Sequence, residues 1–119
     1  MKVTPTKKNY DLYKGAGFKI KFRIVDCGNI VDITGWDFVF KAGPEKGGTA
    51  TIEKRLTDSP TDITVDAESI VTVQLPAAET LAITDSELFY QILSIEPGQE
   101  PDMRMTGVIE CREGLGDAG

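Results

Sequence analysis

Apolar and polar residues alternate along much of the chain. In Phe18-Lys19-Ile20-Lys21-Phe22-Arg23-Ile24 the switch occurs at every position, which is the period of a strand with one face in a core and the other in water. Trp36-Asp37-Phe38-Val39-Phe40-Lys41 repeats the pattern with aromatics inward, and Val71-Thr72-Val73-Gln74-Leu75 repeats it cleanly. Thr51–Leu56 is a weaker copy. Leu88–Ile95 is apolar on both faces, which predicts a central or covered strand. Met103–Cys111 closes the set, and Gly107 inside it marks a bulge or a close backbone approach. Turn residues separate the runs. Asp26-Cys27-Gly28-Asn29 predicts a hairpin turn with a residue at positive φ. Gly43–Gly48, Asp58–Asp62 and Pro97-Gly98 predict a flexible loop and two turns. Pro76–Ile83 breaks the alternation. Proline suits a helix start, and Ala, Glu and Leu propagate one or two turns.

These elements predict an all-β fold, an antiparallel β-sandwich of about 7–9 strands with one short helical turn near residues 77–83. The organisation expected is an N-terminal arm over 1–9, one sandwich domain over 10–112 and a flexible C-terminal tail over 113–119. The 119 residues, 40% of them apolar, suffice for one core.

Charge and chemistry narrow the function. The net charge is −6, from 19 acids and 13 bases, and the longest basic run is Lys7-Lys8, so nucleic acid is not an expected partner. No stretch has the length of a membrane span, and Met1–Thr6 has no apolar signal core. Histidine is absent, which removes the usual neutral-pH base and the His-dependent triads. Neither a metal site nor a cofactor is expected, and the chain is read as not an enzyme. Zinc needs about four Cys or His ligands, whereas only Cys27 and Cys111 exist. They are read as reduced, with a single bridge as the rival. Asp58, Asp62, Asp66 and Glu68 lack calcium-loop spacing and are read as a solvated turn. Gly114-x-Gly116-x-x-Gly119 lacks the strand and helix that a dinucleotide fingerprint requires, and Gly43–Thr49 lacks the P-loop lysine.

The candidate residues are therefore interface residues. Tyr10 and Tyr13 either serve an interface or cover one end of the core. Lys19, Lys21 and Arg23 form either a solvated, edge-protecting face or a dock for an acidic neighbour. Gly43, Pro44 and Lys46 lie in the glycine-rich loop, and Leu93 and Ile95 point outward from the doubly apolar strand.

The element order carries a resemblance. Gly15–Asp26 leads through Gly28-Asn29-Ile30-Val31 into Asp32-Ile33-Thr34-Gly35-Trp36, followed by Leu75–Thr80, Phe89-Tyr90-Gln91-Ile92 and Arg104–Ile109. Over residues 10–112 this resembles the Ig-like sandwich of tailed-bacteriophage structural proteins, such as the N-terminal domain of upper baseplate proteins. The chain departs from that pattern in its glycine-rich Gly43–Gly48 loop and in stopping near residue 119. The resemblance implies a virion protein, assembled in the host cytoplasm. Such a protein docks in multiple copies, as a homo-oligomer or symmetric array, on other virion structural proteins of a capsid, neck, tail or baseplate. The alternative is a carbohydrate- or cell-surface-binding sandwich module.

Overall fold

The computed structural model describes residues 5–58 and 62–113. The strands are β1 (Thr6–Lys7), β2 (Tyr10–Tyr13), β3 (Phe18–Phe22), β4 (Val25–Asp26), β5 (Asn29–Ile30), β6 (Asp37–Gly43), β7 (Ile52–Arg55), β8 (Ile63–Val65), β9 (Val71–Leu75), β10 (Glu87–Ile95) and β11 (Asp102–Arg112). One helix, α1 (Ala77–Leu81), starts directly after Pro76. One sheet runs β1-β11-β10-β6-β7, with β2 also pairing β11. The second runs β3-β9-β8, and β4-β5 form a separate hairpin. The Ig-like sandwich is thus the architecture, with short strands raising the number above nine.

Strict alternation builds the core. Inward residues Ile20, Phe38, Phe40, Val73, Leu75, Leu88, Tyr90, Ile92 and Ile109 are all essentially inaccessible to solvent. Tyr10 of β2 packs edge-on against Phe18 at the start of β3, whereas Phe22 at its end packs against Phe38 of β6. β3 therefore swings away from the β1–β11 margin along its length.

Local chemistry fixes the connections. Asp32 accepts from the Thr34 amide and hydroxyl at 3.0 and 2.6 Å, which holds its carboxyl below the usual aspartate range. The buried Thr80 hydroxyl accepts from Gly15 N–H at 3.1 Å and donates to the Ala16 carbonyl at 2.8 Å, tying α1 to the β2–β3 turn. Lys54 bridges Glu79 at 2.8 Å and Asp62 at 3.1 Å. Burial alone would lower the pKa of that ammonium, but the two carboxylates outweigh it and raise it.

Several expectations need adjusting. The segment read as an arm joins the sheet from Thr6, which pairs in parallel with Met105. Gly107 serves a close approach: a Cβ there would meet the Lys8 carbonyl. The bulge lies elsewhere, between Ile92 and Leu93, where the partner changes from Met105 to Met103 and Arg104 is left over. Gly43 belongs to β6 and is buried, so the loop begins at Pro44. Cys27 and Cys111 are both free. The tail from Gly114 onward and the centre of the Asp58–Asp62 turn lie outside the described residues.

Candidate binding face

The larger sheet has an outer face that the smaller sheet does not cover. Phe89, Gln91, Leu93 and Ile95 of β10 point there, half-buried, while their neighbours Leu88, Tyr90, Ile92 and Ser94 are buried inward. Register places side chains in rows across the sheet. Leu93 stands between Met103 of β11 and Val39 of β6, and Val39 stands beside Arg55 of β7. Phe89 stands between Val108 and Gly43. Val39 is only 2% exposed, yet it is not part of the core cluster between the sheets. Its neighbours on the outer face cover it. The result is an apolar stripe of Val39, Leu93, Ile95 and Met103, separated from Phe89 and Val108 by the polar row Thr106, Gln91 and Lys41.

Charge surrounds the stripe. Lys41 stands opposite Glu53, and Arg55 pairs with Asp37 at 3.4 Å. On the β11 side Arg112 contacts Glu110 at 2.6 Å and Asp11 at 3.1 Å, which raises its pKa. An apolar centre with a polar rim is the anatomy of a protein interface.

The sequence-derived candidates disperse. Leu93 and Ile95 lie in the stripe. Tyr13 is exposed at 47%, and Pro44 and Lys46 are exposed on the β6–β7 loop. Gly43 is buried in the sheet and offers no loop surface. Tyr10 serves the core: its ring packs against Phe18 and Tyr90, and burial raises its pKa. Lys19, Lys21 and Arg23 project from the other sheet, so no single surface unites the set. Val39, Phe89, Met103 and Val108 were missed. Their signal lay in the outward positions of strands already recognised, once register set them side by side.

A second concavity, a cleft of about 840 Å³, opens between the diverging β3 and the β1–β11 margin. Phe22, Ile24, Val31, Trp36 and Met105 give it apolar walls. The bulge turns Arg104 inward, where its Nε donates to Ser94 Oγ at 2.7 Å and its guanidinium lies 5.7 Å from the centre of the Trp36 ring. Trp36 also stacks on Phe38.

Among the described residues, no group of three Cys, Asp or Glu side chains gathers as a metal site. Asp62 is committed to Lys54, Glu68 to Arg23, and Asp66 accepts from the Glu68 and Ile70 amides of its own turn.

No protein-family model matches the chain, and no curated protein matches it. Among solved structures, it is similar to parallel homodimers of the extracellular domains of the voltage-gated sodium channel beta4 subunit, described as explaining that subunit's role in cell–cell adhesion. The TM-score is 0.50 over 95% of this chain and 97% of that chain, at 12% identity. The assignment to a bacteriophage virion is overturned here, together with its capsid, neck, tail or baseplate position, its virion partners and its site of assembly in a host cytoplasm. The full-length likeness is to an extracellular adhesion domain. The phage-like motifs fail as identifiers for a physical reason: Asp32–Trp36, Glu79–Thr80 and Gly107 specify a turn, a closure and a close backbone approach that serve folding whatever the sandwich binds. At this identity the likeness establishes the Ig-like fold and nothing finer.

Proposed function

We propose that this chain is a non-catalytic binding module of the cell-surface type, which pairs with a second copy through the outer face of its larger sheet. One observation carries the proposal: the stripe around Leu93, apolar enough to bury Val39 without the core, is rimmed by charge. An isologous contact places the same stripe on both sides, so its apolar centre meets its own equivalent. The solved homodimer of similar fold, with its stated role in adhesion, supports homotypic pairing. The carbohydrate form of the alternative is less supported, because the only tryptophan is engaged by Phe38 and Arg104 instead of standing free to stack on a sugar.

Sedimentation equilibrium of the purified protein tests this. A concentration-dependent dimer is expected, and Leu93→Glu should weaken it at least tenfold while leaving the thermal transition of the monomer in place. A monomer at every concentration up to the millimolar range, or a dimer indifferent to both Leu93→Glu and Phe89→Glu, would refute the proposal.

A further inference from the structure

The two sheets differ in width. The larger has five positions, since β1 and β2 share the place beside β11, and the smaller has three. β3 ends the smaller sheet, so one of its edges is unpaired among the described residues. The main-chain groups on that edge can be identified. Gln74 N–H donates to the Asp62 carbonyl, on the β8 side of β9. Alternation then turns the groups of Val71, Val73 and Leu75 towards β3, where they meet Phe22, Ile20 and Phe18. The N–H and C=O of Lys19 and Lys21 therefore face away from β9, towards the side on which the cleft opens.

Lys21, Phe22, Arg23 and Ile24 form one wall of that cleft, and Thr6, Lys8 and Met105 stand across it. It meets the free edge of β3 at Lys21 and Phe22, where a fourth strand of the smaller sheet would begin. Lys19 and Lys21 are exposed and have no ion pair among the described residues, and the exposed Arg23 reaches Glu68 only at 3.7 Å.

We propose that the free edge of β3 receives an extended segment of another polypeptide as a fourth strand, with acidic side chains outward and apolar side chains inward. Main-chain bonds to Lys19 and Lys21 supply the pairing. Outward acidic residues stand beside Lys19, Lys21 and Arg23 as opposite-charge cross-strand pairs. Inward residues cover Phe22, Ile24 and Trp36. Glu96, Glu100 and Asp102 line the cleft at the β10–β11 connection and Asp26 lines it in β4, beyond the end of β3, so the acidic part of the segment belongs beside Lys19 and Lys21 and not at either of those places. This site is separate from the outer face of the larger sheet, and neither proposal depends on the other.

The test uses the full chain and a capped synthetic peptide alternating glutamate and valine over seven residues. The sole tryptophan, Trp36, lines the cleft and reports occupancy by fluorescence, with calorimetry as the second readout. Saturable binding is expected, at least tenfold weaker for the double variant Lys19→Glu, Lys21→Glu. It should also be at least tenfold weaker for the same peptide N-methylated at alternate residues, which needs no protein variant. A peptide alternating lysine and valine should bind at least tenfold more weakly. Three results overturn the proposal: no saturable signal at millimolar peptide, equal binding of the N-methylated peptide, or equal binding of the lysine peptide. The second would remove main-chain pairing, and the third would leave the lysines as edge protection only.

Discussion

Gly107 and Tyr90 share one task. The Lys8–Asn9 segment joins β1 to β2 along one edge of β11 and lies against Gly107, where there is room only because residue 107 has no side chain. The Tyr90 hydroxyl donates to the Lys8 carbonyl at 2.6 Å, and Asn9 Oδ1 accepts from the Val108 amide at 3.0 Å. Gly107→Ala forces the segment outward and should cost about 1–3 kcal/mol, as overpacking does. Urea unfolding measures this, and an unchanged midpoint would contradict the close approach as described. A glycine within a strand was legible from the sequence as a mark of close approach. The partner it admits, ninety-nine residues earlier in the chain, was not.

Two connections show how much an element depends on remote partners. The sequence marks α1 through Pro76 and its helix formers, but five residues do not hold a helix in water. Thr80 holds it by accepting from Gly15 and donating to Ala16, and Lys54 holds it through Glu79. Thr80→Val keeps the shape and removes the hydroxyl bonds to the exposed Gly15 and Ala16. It should cost about 0.5–1.5 kcal/mol in thermal or urea unfolding, with Thr80→Ser recovering most of the loss. Full stability of Thr80→Val beside a destabilised Thr80→Ser would assign Thr80 to packing alone. The bulge at Arg104 is the opposite case. Nothing in Met103-Arg104-Met105 distinguishes it from regular alternation, because a bulge arises from the register of two strands together. One extra residue turns the guanidinium from the outer face to Ser94 and Trp36.

At the scale of the whole molecule, pH links these parts. Burial, and then the neighbouring Tyr10, push the Tyr90 hydroxyl well above the ordinary tyrosine value of 10.0, and Lys54 is raised above its ordinary 10.5. Folding therefore favours the protonated form of both. Their contribution is complete below about pH 10 and declines as pH rises through the unfolded values towards the folded ones. Stability measured by urea unfolding should fall between pH 10 and 12. Tyr90→Phe should flatten that slope, and a slope unchanged in this variant would remove Tyr90 as its source.

Period-two alternation and turn chemistry determined the sandwich, because each is a local property of consecutive residues. The inward residues of β3, β6, β9, β10 and β11 were legible for the same reason. Location of a binding face was not, since a face gathers residues from strands far apart in sequence. Only tertiary pairing put Met103, Leu93 and Val39 in one row, packed Tyr10 against Phe18 and Tyr90, and set Lys19 and Lys21 along an edge unpaired among the described residues. Alternation says which way a side chain points. Register and the widths of the two sheets decide what it points at.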